Sequence, residues 1–192
     1  MLIKKIKKNA DWLVFVVAVA VIYAFGWQAE VFGFVQRGIL MTGLLDPKVE
    51  VLSPDSPSDL NFRLRDAQDK VLEGEDLKGK TVFINFWASW CPPCVAEMPS
   101  IESLYNDVSQ QNKDVVFLMI SQDEDHKKAT NFMKRKNFQM PLYFPISSFP
   151  AEFSHQSIPT TLVISPEGKV VYKKEGMANY DSQSFREFLL NL

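Results

Sequence analysis

Two cysteines, Cys91 and Cys94, stand two residues apart and are the only cysteines in 192 residues. That spacing suits a reversible dithiol–disulfide cycle. It does not suit a stapled secreted scaffold, which needs more cysteines, spaced widely. A structural zinc site would need four ligands, and the two histidines, His126 and His155, lie far from any finger spacing. They read as surface or internally satisfied residues, and neither metal nor cofactor is expected. Pro92 and Pro93 fit the opening of a helix, where a missing N–H costs nothing. Cys91 is thereby placed at a helix N-terminus, where unpaired amides and the helix field favour a thiolate and make it the attacking sulfur. Cys94, one turn deeper, becomes the resolving thiol. Glu97 follows Cys94 by three residues and shares its face. Partly buried there, it could carry a raised pKa and exchange protons with Cys94.

The elements around the pair position it. Thr81–Phe86 is an almost continuous β-branched and aromatic run, typical of a strand buried on both faces, and it leads into the cysteines through Trp87–Trp90. Trp87 is expected in the core and Trp90 partly exposed, as an apolar docking surface beside Cys91. Asn85, inside the hydrophobic strand, must find hydrogen-bond partners if buried. Leu60–Leu64 alternates and reads as a strand, with Val71-Leu72 beginning a short return strand. A helix to about Gln111, a strand over Val115–Ile120, a helix over Glu124–Lys136, strands over Thr161–Ile164 and Val170–Lys173, and a helix over Ser182–Leu190 complete an α/β sandwich. Pro159, after Ile158, precedes a strand, and its isomer is not set by sequence alone.

The N-terminus has a different character. Residues 1–11 form a basic tail with Lys4, Lys5, Lys7 and Lys8, and residues 12–29 carry no charge. At 1.5 Å per residue such a run spans ~27 Å, near the hydrocarbon thickness of a bilayer. Trp12 and Trp27 stand near its ends, as interfacial rings do. The preceding lysines put the N-terminus in the cytoplasm and export the rest. A cleaved signal peptide is the alternative, with Ala24 and Gly26 as small residues near a cut, but the apolar run exceeds a usual signal core. Residues 30–57 are expected to hold a juxtamembrane amphipathic segment, Val31–Leu45, lying on the membrane or packing on the domain. A Pro/Ser/Asp-rich linker follows it. The folded domain is expected over 58–192. Without Lys4, Lys5, Lys7, Lys8 and Asp11 the formal charge of −2 becomes −5, which argues against a nucleic-acid partner.

The segment Phe86-Trp87-Ala88-Ser89-Trp90-Cys91-Pro92-Pro93-Cys94 resembles the thioredoxin fold. Three further stretches resemble the TlpA/ResA-like branch: Asp76–Lys80, Cys94-Val95-Ala96-Glu97-Met98-Pro99, and Ile158-Pro159-Thr160-Thr161 with Pro166–Val171. The resemblance implies a thioredoxin-like fold, a central mixed sheet flanked by helices, preceded by a transmembrane helix. It implies a thiol-disulfide oxidoreductase on the outer side of a bacterial cytoplasmic membrane. The expected partners are extracytoplasmic disulfide-containing proteins such as apocytochrome c, a membrane thiol transporter as electron donor, and the bilayer. Residue by residue, Cys91 and Cys94 become the attacking and resolving thiols, Glu97 the active-site glutamate, and Pro159 a cis-proline facing the disulfide. Trp90, Pro92, Ile158 and Pro159 become substrate contacts, and Asn85 replaces the buried Asp of cytoplasmic thioredoxins. Met140–Ser157 does not match the family pattern. A peroxiredoxin-like peroxidase would want a Thr just before Cys91, which is absent; a copper-handling protein would want a wider cysteine spacing with a distal histidine.

Overall fold

The computed structural model describes residues 2–24, 28–40, 45, 47 and 57–192, with side chains for 12–24, 28–38, 40, 45, 47 and 57–192. Trp27, Gly26 and most of the expected linker lie outside the described residues.

Helix α1 (Leu2–Ala24) is followed by α2 (Gln28–Leu40), and residues 25–27 between them lie outside the described residues. Among the described residues no single helix is long and apolar enough to cross a membrane. Trp12–Ala24 and Gln28–Gly38 pass that test together, with a bend of 108° between them.

The domain beyond residue 57 is built on one seven-stranded sheet. Its strands are β1 (Arg63–Asp66), β2 (Val71–Glu73), β3 (Thr81–Trp87), β4 (Val115–Ser121), β5 (Leu142–Pro145), β6 (Thr160–Ile164) and β7 (Val170–Glu175), in the order β2-β1-β5-β4-β3-β6-β7. Strand β3 pairs parallel to β4 and antiparallel to β6, and β4 pairs parallel to β5, so the sheet is mixed. Helices α3 (Pro92–Gln111), α4 (His126–Lys136) and α5 (Gln183–Leu190) complete the domain.

All seven residues of β3 are buried. Strand alternation sends Phe83 and Trp87 into one core with Met98, Ile101 and Leu104 of α3, Phe132 of α4 and Phe185 of α5. Val82, Ile84 and Phe86 enter the opposite core with Leu64, Leu77 and Phe153. A strand covered on both sides explains the unbroken apolar run that made it legible.

Two readings shift. Leu60, Phe62 and Leu64 are buried alternately as expected, but the ladder begins only at Arg63 towards β2 and at Leu64 towards β5, with one further bond in the β2 register from Gly74 N–H to Phe62 O. Gly74 is required there: a Cβ would lie 2.2 Å from Leu60 O. The unmatched 140–157 stretch contains β5, inserted between β4 and β1, then a 3-10 turn at Ala151–Phe153. Its aromatics are structural: Phe149 and Phe153 pack on Phe62, and Phe149 packs on Phe86.

Candidate active site

Strand β3 delivers the chain to the start of α3 through Ala88–Trp90. Cys91 caps the helix with extended backbone (φ −93°, ψ 106°), and Pro92 and Pro93 open it. The Cys94 amide donates to Cys91 Sγ at 3.3 Å. An N-terminal helix amide has no intrahelical acceptor, so a sulfur at the cap satisfies it, and more strongly as a thiolate. No acidic residue stands in the first turn to oppose that charge. Cys91 and Cys94 are joined as a disulfide with their Cα atoms 5.3 Å apart. Both are buried, whereas Trp90 beside them is 60% exposed and Pro92 half-buried.

The second wall comes from the turn before β6. The Ile158–Pro159 bond is cis, and the Ile158 carbonyl oxygen lies 3.7 Å from Cys91 Sγ. Pro159 is held from behind by Gly176 N–H, which donates to its carbonyl at 2.9 Å. The fold therefore brings Trp90, Cys91, Pro92, Cys94, Ile158 and Pro159 to one end of the sheet.

Beneath the pair lies a buried polar cluster. Glu97 is fully buried. Its Oε1 accepts from Asn85 Nδ2 at 2.8 Å, and its Oε2 from Ala178 N–H at 3.1 Å. Asn85 and Thr161 are cross-strand partners, so both side chains leave the same face. Asn85 Nδ2 also donates to Thr161 Oγ1 at 2.9 Å. Burial pushes the Glu97 carboxyl up to about 8, against the lowering effect of the bonds from Asn85 and Ala178. A carboxyl held that high keeps its proton through most of the neutral range. Tyr180 is buried nearby; burial, then the Glu97 charge, holds its phenol well above the usual range.

One residue escaped sequence reasoning. Asp123, 4% exposed, accepts from the Ser89 amide at 2.9 Å, Ser89 Oγ at 2.6 Å and Ser121 Oγ at 2.9 Å. With Gln122 N–H donating to Trp87 O at 2.8 Å, it fastens the loop that carries Trp90 and Cys91 to the end of β4. The available signal was its place just past the carboxyl end of a parallel strand, where α/β folds build their sites. Asp123→Ala is expected to cost ~1–3 kcal/mol by leaving the Ser89 amide unpaired. It should also shift the pH profile of Cys91 alkylation in the reduced protein, read by mass spectrometry. An unmoved profile would leave Asp123 a purely structural strut.

Of the histidines, His155 is half-buried with a backbone partner and His126 is exposed. His155 stacks on Phe86, with Nδ1 3.2 Å from Phe153 O, and His126 stacks on Phe144.

The Redoxin family model matches residues 55–187. The chain belongs to the Redoxin family. Within it, the likeness is to the TlpA/ResA/DsbE-like thioredoxin-fold thiol-disulfide oxidoreductases. A thiol-disulfide oxidoreductase ResA of Bacillus cereus is 35% identical over 114 residues, 59% of this chain and 65% of that protein. ResA of Bacillus subtilis is 37% identical over 112 residues, 58% of this chain and 62% of that protein. The matched stretch thus spans just under two thirds of those relatives. Among solved structures, a thiol:disulfide interchange protein of the thioredoxin family from Chlorobium tepidum TLS superposes with a TM-score of 0.59 at 23% identity, covering 72% of this chain and 99% of that one. That likeness establishes the thioredoxin-like fold of this Redoxin domain.

Proposed function

We propose that this chain is a membrane-anchored thiol-disulfide oxidoreductase that reduces disulfides of proteins outside the cytoplasm. The observation that carries the reading is the Cys91–Cys94 disulfide at the N-terminus of α3, with a fully buried Glu97 one turn beyond Cys94. In the reduced protein Cys91, as thiolate, attacks one sulfur of a substrate disulfide and the other sulfur leaves as a thiolate. Cys94 then gives its proton to the ionised form of Glu97 and attacks Cys91 Sγ, and the remaining substrate sulfur departs as a thiolate. The substrate gains two electrons, and the pair ends as the disulfide. Trp90, Pro92, Ile158 and Pro159 form the docking walls, and the Asn85 bond to Glu97 holds the carboxyl in place.

Residues 1–11 are read as a cytoplasmic tail and 12–29 as the single span of a bacterial cytoplasmic membrane. Residues 30–57 are then a juxtamembrane segment and linker, and 58–192 an external catalytic domain. Support comes from Trp12–Ala24, uncharged and with its apolar side chains uncovered by the domain. Outside the cytoplasm disulfides persist, so a reductase there needs electrons delivered through the membrane, here by a thiol transporter. The substrate class includes apocytochrome c and related envelope proteins.

The purified full chain, recycled by dithiothreitol, should accelerate insulin reduction, with Cys91 alkylating before Cys94 at neutral pH. A rate equal to dithiothreitol alone would overturn the reading; Cys94 alkylating first would reverse the thiol roles.

A further inference from the structure

Helix α2 has two opposed faces. Ala29, Gly33 and Leu40, at helical spacing, are buried. At Gly33 a Cβ would lie 3.0 Å from Pro92 O, 3.1 Å from Val95 Cγ1 and 3.3 Å from Ala96 N. The backbone of α2 therefore rests directly on the first turns of α3. The opposite face carries Val31, Phe32, Phe34 and Val35, with Phe32 61% and Phe34 75% exposed and no charge among them. Soluble surfaces rarely leave so many large apolar side chains contiguous and bare.

Helix α4, whose C-terminal turn meets α2 at Glu30, holds Lys127, Lys128, Lys134, Arg135 and Lys136, all exposed, and no acidic residue. The two helices are joined by ion pairs from Glu30 of α2 to Arg135 and Lys136. Lys128 stands two turns before Arg135 and shares its flank, the side on which α2 lies. A positive helix in a chain of formal charge −2 is a local concentration, not a general property.

We propose that the outer face of α2 and the adjoining basic flank of α4 form one docking surface for an anionic lipid bilayer. The apolar stripe sits at the acyl boundary, and the cations meet the headgroup charge. Geometry supports lipid as the occupant. Helix α2 begins four residues after the end of α1 and is bent 108° from Trp12–Ala24, so a spanning α1 leaves α2 close to the membrane plane. Because α2 also grips the start of α3, the cysteine pair is held at a fixed, membrane-proximal height. The proposal rests on the membrane-anchored reading above.

Full-length wild-type and Phe34→Trp proteins are reconstituted in phosphatidylglycerol or phosphatidylcholine vesicles brominated near the headgroup end of the acyl chains. Anchoring is read separately, by resistance to alkaline extraction. The Phe34→Trp protein should show at least about two-fold more quenching than wild type in phosphatidylglycerol, and the excess should fall in about 0.5 M salt or with Lys128→Glu added. No excess in either lipid, in protein that resists extraction, would overturn the docking surface and leave the anchor standing. Equal excess in both lipids would remove α4 from the surface. Release by alkali would overturn the anchor, and the quenching arm would then report on the surface alone.

Discussion

Cys94→Ala protein isolated from membranes is expected to carry its substrate with it, as a mixed disulfide on Cys91 that dithiothreitol releases. The second half of the cycle is intramolecular and requires the Cys94 sulfur, which lies at the pair's buried end. Removing it leaves the first attack intact and the intermediate without an exit. Cys91→Ser should instead abolish disulfide reduction, by at least about a thousand-fold, because a serine hydroxyl at a helix start is no thiolate. The measurement is a non-reducing gel of each variant followed by mass spectrometry of the trapped partner. Adducts on Cys91→Ser but none on Cys94→Ala would exchange the two roles.

Glu97→Gln is expected to change two pH dependences at once. The carboxyl titrates near 4.5 when unfolded and at about 8 in the fold. The folded form therefore holds the proton more tightly, and the contribution of this group to stability is fully present below pH ~4.5 and lost as pH rises towards about 8. The loss across that window is on the order of a few kcal/mol. The Glu97→Gln substitution would remove the slope. It would also cost ~1–3 kcal/mol at every pH, since an amide offers one acceptor where Asn85 and Ala178 both donate. Urea titrations of the oxidised protein at pH 5 and 8.5 separate the two effects. In the same window the resolving step should lose its basic limb, read as the rate–pH profile of disulfide exchange. Superimposable profiles and parallel stability curves would return Glu97 to a structural role.

Much of this site was legible because its logic is local. Strand, cysteine pair, prolines and Glu97 lie within 17 consecutive residues, 81–97, and side-chain periodicity alone puts Glu97 on the face of Cys94. Asn85 announced itself as a polar residue in an apolar strand, but its partner Thr161 is 76 residues away and became visible only through the β3–β6 register. Asp123 was hidden for the same reason: its bonds to Ser89 bridge 34 residues and depend on β4 lying beside β3. Strand β5 is four residues long in a proline-rich stretch and owes its existence to pairing with β4 and β1 rather than to its own pattern. The α2 contact depended on a glycine that, read as sequence, only weakens a helix. Its close approach to α3 is a tertiary fact.

That approach bears on what happens when such a protein is cut free of its leader. A secreted form starting at Ser58 would keep its sheet, its cysteines and Glu97. It would also lose the neighbour that lies against Pro92, Val95 and Ala96. The first turns of α3 would then stand open to water on that side. Tethered and released versions of this one fold would differ in outline around the same sulfur atoms.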